Sequence, residues 1–223
     1  MKYTIVCYDL FPPFEIIGEK VNILAIEKPS ELYSFVNELH HQINGENGKI
    51  VVSQDNKPIK LSAKVELLTH LIPFEINSKK MLTKLYSYFS RKLQEAENFE
   101  EGIKLQEAVS SFMSKLTQCE MIETEFDSVD VVALFKAVDF RLNNESNSLE
   151  DQLIEYMTCV RELDGEKIFV FVNLLSYIDA DKRHLLYKTI TDHDFCVILL
   201  EPSAVEPSNS ISQMIIDEDL CVI

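Results

Sequence analysis

Lys167–Pro202 reads KIFVFVN (167–173), LLSYIDADKRHLLYKTI (174–190) and TDHDFCVILLEP (191–202). Ile168–Val172 and Phe195–Leu200 are unbroken apolar runs, too short for helices and rich in Val, Ile and Phe. Each reads as a strand buried on both faces. Between them Ile178, Leu185, Leu186 and Ile190 recur at helical spacing, and Asp179 stands where an N-cap belongs. Strand, helix and strand within about 30 residues make a βαβ unit, so the two strands are expected to lie parallel, joined by a right-handed crossover.

Upstream, Lys2–Tyr8 alternates weakly and reads as a strand that Phe11-Pro12-Pro13-Phe14 ends, two prolines arguing against regular structure there. Asn22–Ile26 is a second strand. A helix opens at Pro29, with Leu32, Phe35, Val36, Leu39 and Ile43 on one face. Residues 44–48 are a turn-rich break, Ile50–Ser53 a strand and Asn56–Pro58 a turn. Leu61–Leu68 fits either a strand or a helix. From about Asn77 the pattern changes to helical stripes: Leu82, Leu85, Tyr86, Phe89, Leu93; then Leu105, Val109, Phe112, Met113, Leu116; a short helix at Val131–Val138; and Leu149, Leu153, Tyr156, Met157, Val160. These stripes suit an intramolecular bundle or an oligomer interface. After Pro202 a polar loop (203–210) leads to Met214–Ile216 and a last edge strand, Leu220–Ile223.

The expected fold class is therefore α/β: a mostly parallel sheet from residues 1–77 and 163–223, interrupted by an α-helical arm at 78–162. With 46% hydrophobic residues, the 223-residue chain supports a sizeable core. No apolar run approaches a membrane span, and MKYTIVCYDL lacks the pattern of a signal peptide. Five cysteines without a CxxC spacing are expected to be reduced thiols, with Cys7, Cys196 and Cys221 in apolar strand-like runs. A cytoplasmic protein is expected.

Catalytic signatures are missing from the sequence. There is no GxxxxGK[ST] and no GxGxxG, hence no backbone cradle for nucleotide phosphates. Where a P-loop enzyme carries an acid after its buried strand, Asn173 stands here, and an amide brings no charge to magnesium. No HExxH, no Cys/His zinc spacing and no nucleophile elbow occurs. No catalytic residue and no nucleotide is expected.

The net charge is −16, which argues against a uniformly basic nucleic-acid binder. Residues 79–93 reverse it locally, with five basic residues and no acid. At 100° per residue Lys80, Lys84 and Arg91 fall within about 40° of one another, opposite the apolar stripe, with Ser87 and Tyr88 nearby; Lys92 is a further candidate DNA contact in this segment. Lys57, Lys60 and Lys64 form a second acid-free window. Such strips contact phosphates, although the same pattern describes a merely solvated face. Conversely, Glu120, Glu123, Glu125, Asp127 and Asp130 crowd eleven residues between helices. Oxygen ligands at this density suit Ca²⁺, though the loop is no EF-hand and also reads as an exposed acidic turn.

The run KIFVFVNLLSYIDADKRHLLYKTI, the following CVILLEP and the terminal IIDEDLCVI resemble the small protein of type II-A CRISPR adaptation modules. A weaker match runs back to about residue 78, while the first 77 residues agree mainly in the order of elements. The resemblance implies a core similar to P-loop ATPases without the phosphate loop. It also implies a ring-shaped homotetramer that binds ends of double-stranded DNA, takes up calcium, and contacts the CRISPR adaptation integrase and the RNA-guided effector nuclease. Glu125, Phe126 and Asp127 match the family's acidic linker in type, while Ser128 stands where that pattern has an acid. The expected function is non-enzymatic spacer acquisition. The alternatives are an acidic interaction scaffold and a degenerate nucleotide-hydrolysing enzyme.

Overall fold

The computed structural model describes residues 2–118, 125–145 and 148–223. In chain order they form β1 (Lys2–Cys7), β2 (Phe11–Ile17), β3 (Val21–Ile26), α1 (Pro29–Ile43), β4 (Ile50–Gln54), β5 (Lys57–Pro58), α2 (Leu61–Lys64), β6 (Val65–Leu68), α3 (Lys79–Lys92), α4 (Ala96–Thr117), α5 (Val131–Ala137), α6 (Leu149–Asp164), β7 (Ile168–Val172), a 3-10 turn (Leu174–Tyr177), α7 (Ala180–Asp192), β8 (Cys196–Glu201) and β9 (Ile211–Ile216). Met1–Phe74 and Ser146–Ile223 make one unit, and Glu75–Glu145 makes a second.

The first unit contains a five-stranded sheet of order β6-β7-β8-β3-β9, with every pairing parallel. The expected βαβ unit is present: β7 and β8 pair from Ile168↔Cys196 to Val172↔Leu200. All six residues of β3 and of β8 are buried, as strands covered on both faces must be. The helix between β7 and β8 buries Leu186 and Ile190, but Leu185 is 66% exposed. Asp179 sits at the N-cap position without a side-chain hydrogen bond to the helix.

The amino-terminal strands do not all join this sheet. β2, β1, β4 and β5 form a separate antiparallel sheet. The reason lies in their patterning: β1 alternates between buried and accessible residues, so it has one face to bury rather than two. Between the sheets, Ile5, Phe14, Ile16 and Val52 share a core with Leu24, Val170, Ile198 and Leu200, and with Phe35 and Leu39 of α1. Pro12 and Pro13 lie inside β2, contrary to the sequence expectation. β2 is an edge strand, and the prolines fall where the register shifts between Ile5↔Phe14 and Cys7↔Phe11, so no ladder donor is needed from them.

Asn22 is a fully buried polar residue that the sequence reading did not single out. Its Oδ1 accepts the Ile17 N–H at 2.9 Å. Its Nδ2 donates to the carbonyls of Val197 (2.9 Å), Lys20 (3.1 Å) and Ile17 (3.2 Å). One side chain thus ties the end of β2 to β8.

Leu61–Leu68, ambiguous in sequence, is both elements in turn, α2 and then β6. α6 was expected in the helical arm but belongs to the first unit. It buries Leu153, Tyr156, Met157 and Val160, and the Tyr156 hydroxyl donates to Glu66 Oε1 of β6 at 2.9 Å. The carboxyl-terminal residues pair antiparallel with β9 through a single bridge, Ile216↔Val222, and Cys221 is exposed rather than a core thiol.

Candidate nucleic-acid interface

α3 carries the basic segment of the second unit. Ser78 caps it, accepting the Met81 N–H at 3.3 Å. Its buried residues are Met81 and Leu85, while Leu82, Tyr86, Phe89 and Leu93 are only half-buried. At 100° per residue, Met81 and Leu85 centre roughly 75° from the middle of the expected stripe. The difference has a local cause. Tyr86 and Phe89 meet Phe135 of α5, and Phe89 and Phe135 meet Phe140, with ring centroids 5.1 to 6.2 Å apart. α5 has no buried residue of its own, so this aromatic cluster stays half-covered.

The solvent sector of α3 holds Lys79, Lys80, Thr83, Ser87 and Arg91, with Lys84 half-buried at its margin. Lys92 is committed locally: its Nζ lies 3.3 Å from Glu95 Oε1 and 5.8 Å above the Tyr88 ring. Beside α3 runs a groove of about 720 Å³ with a largely apolar surface, lined by Leu82, Tyr86 and Val132 together with Lys79, Thr83, Ser87, Ser90, Arg91 and Lys136. Three cations and several hydroxyls in one groove are phosphate-binding chemistry. Lys79 and Lys136 were not among the expected contacts. Lys136 follows Phe135, and the aromatic packing of α5 onto α3 delivers it; only tertiary structure reveals that.

The second basic window lies in the first unit. Lys57 and Lys60 are exposed, and Lys64 is half-buried, its Nζ donating to the Glu166 carbonyl at 3.4 Å.

Of the acidic segment, Glu120 and Glu123 lie outside the described residues. Glu125 and Asp127 are exposed, and Asp130 caps α5, accepting the Val132 N–H at 2.9 Å. Among the described residues no group of three or more His, Cys, Asp or Glu side chains is placed to hold a metal ion. α4 of the same unit buries none of its residues. Of the expected stripe, Leu105, Phe112, Met113 and Leu116 are exposed and Val109 is half-buried, so it is a largely uncovered apolar face.

The first unit carries a different site at the carboxyl ends of β7 and β8, the usual ligand position in open parallel sheets. Asn173 adopts left-handed backbone there and its Oδ1 accepts the Ser176 hydroxyl at 2.6 Å. Glu201, 3% exposed, lines a cavity of about 590 Å³ with Arg183, His184 and Tyr187. The Leu175 N–H donates to Glu201 Oε1 at 3.1 Å. Burial pushes the Glu201 carboxyl up to about 7 despite the opposing pull of the Leu175 N–H and of Arg183. Arg183 donates to the Leu175 and Ile178 carbonyls at 2.7 and 3.1 Å, holding the 3-10 turn. In sequence Glu201 showed only as an acid closing an otherwise apolar strand.

No described helix is long and apolar enough to cross a membrane. The family of CRISPR-associated proteins Cas_Csn2 matches residues 42–220. The CRISPR-associated protein Csn2 of Enterococcus faecalis is 25% identical over 211 residues, covering 93% of this chain and 92% of the relative. Its counterpart from Streptococcus agalactiae is 22% identical over 213 residues, with the same coverage. Stu0660 of Streptococcus thermophilus, a solved structure, shares the fold with a TM-score of 0.57 at 15% identity, over 96% of this chain and 74% of that one. The family match takes in the helical unit and the whole βαβ core through β9, and the chain belongs to the Csn2 family of CRISPR-associated proteins.

Proposed function

We propose that this protein is a non-enzymatic, cytoplasmic component of CRISPR spacer acquisition that binds the ends of linear double-stranded DNA without reading sequence. The observation that carries the proposal is the segregation of positive charge on α3 and its groove in a chain of net charge −16. A binder that contacts only phosphates needs cations in one place and no base-reading module. Assembly as a ring-shaped homotetramer multiplies the strip fourfold, and the uncovered apolar face of α4 offers surface for contact between copies. Lys57, Lys60 and Lys64 serve as secondary contacts. Calcium support belongs to the same reading. It draws on Glu120, Glu123, Glu125, Asp127 and Asp130, the last of which has Oδ1 accepting the Val132 N–H at the start of α5. The bound cation would cancel carboxylate repulsion in that linker. The CRISPR adaptation integrase and the RNA-guided effector nuclease are the expected partners.

The test is binding to linear and to covalently closed circular duplex DNA, each with calcium and with chelator, at two salt concentrations. Preference for linear DNA, lost at high salt and in a Lys80→Glu/Lys84→Glu/Arg91→Glu variant, is the expected result. Equal binding to both forms removes the end-loading ring. Wild-type affinity in the triple variant removes the strip, and no binding at low salt leaves the acidic scaffold as the better account.

A further inference from the structure

α6 and α7 lie side by side on the first unit and leave an open groove of about 530 Å³ between them. Its floor is apolar: Ile154 of α6 with Leu185 and Leu186 of α7. Leu185 is the unexpected member, because it continues the core spacing of α7 yet is 66% exposed. The rim is acidic, with Glu150, Asp151 and Glu155 along α6. The one cation of the lining, Lys182, is drawn to 3.7 Å from both Glu150 and Asp179. Three carboxylates and one lysine among the described lining residues give a formal excess of negative charge, and the Ser148 hydroxyl donates to Asp151 Oδ2 at 2.7 Å.

A wall of carboxylates excludes a nucleic-acid backbone, and the apolar floor gives a small polar molecule little to bond. Basic charge flanking an apolar anchor satisfies both surfaces. From Lys182 to Thr189 the groove follows about 10 Å of α7, the length of two helical turns. We propose that the α6–α7 groove is a docking site for a basic amphipathic helical segment of a partner protein, with a leucine-like anchor against Leu185 and lysines or arginines facing Glu150, Asp151 and Glu155. This is helix-in-groove recognition, in which the apolar anchor sets affinity and the charged rim sets the choice of partner. The inference is independent of DNA binding, since it uses only residues of α6 and α7.

The probe is a short fluorescent peptide carrying leucines one turn apart and lysines on both flanks, read by anisotropy with the full chain. A second peptide replaces every lysine with glutamate. The wild type is expected to bind the lysine peptide and not the glutamate peptide. Leu185→Ser and Glu155→Lys are each expected to weaken binding about tenfold, while Glu97→Lys, on α4, leaves it unchanged. No binding by the wild type overturns the proposal. So does equal loss in all three variants, which indicates general attraction of a polycation to an acidic chain. A fall in sedimentation mass on Leu185→Ser assigns the groove to a second copy of this chain and also overturns it.

Discussion

Replacing Glu201 with Gln removes a titrating group from the interior without changing its shape. The carboxyl is 3% exposed and titrates near 7, because burial penalises its charged form. In the unfolded chain the same group titrates near 4.5. The folded state thus holds this proton more tightly than the unfolded state does. Its contribution to stability is fully present below about pH 4.5 and is lost as pH rises through about 7. The gap between the two values is worth about 3 kcal/mol. Gln keeps the acceptor for the Leu175 N–H and escapes the cost of ionisation. Urea unfolding of both proteins from about pH 5 to about pH 8 measures the difference. The Gln variant is expected to gain less than about 1 kcal/mol over wild type at pH 5 and about 3 kcal/mol at pH 8. A difference that stays constant across this range, or a wild type that gains on the variant as pH rises, refutes the reasoning.

Asn22→Leu is expected to cost about 3 kcal/mol in urea unfolding, because it takes the side-chain acceptor from the Ile17 N–H and removes the buried bond to the Val197 carbonyl; a loss below about 1 kcal/mol contradicts the clamp. Met81→Ala should destabilise the protein by about 2–5 kcal/mol, and Leu82→Ala, half-buried, by clearly less; equal losses would restore the stripe expected from periodicity.

The parallel core was legible because continuous apolar runs admit one reading. KIFVFV and CVILLE are too short for helices and too apolar for strands with one wet face, and they became β7 and β8. The antiparallel sheet was harder to see. β1 and β4 resemble strands of either kind, and which sheet they join depends on β3 being claimed on both sides by β8 and β9. Pro12 and Pro13 misled because the rule against strand prolines holds for paired donors, and an edge with a register shift needs none. In α3 the cationic residues were visible from spacing, but the orientation of the helix was not. Periodicity gives the mean apolar direction, whereas Phe135 and Phe140 claim one side of α3 and leave Met81 and Leu85 to be buried on another. Lys136 and Glu201 entered their sites through tertiary contacts alone.

The placement of β3 has a consequence for synthesis on the ribosome. Val21–Ile26 is among the first apolar segments to emerge, yet both of its neighbours, Cys196–Glu201 and Ile211–Ile216, are among the last. The Asn22 bond to Val197 alone spans 175 positions. Throughout most of translation both edges of this strand lack their partners. The helical unit, Glu75–Glu145, has its whole sequence available earlier. Expression yield should therefore depend on chaperones that shield strand edges, and slowing elongation between residues 44 and 179 should increase aggregation, because it lengthens the wait for β8 without bringing a strand that pairs with β3.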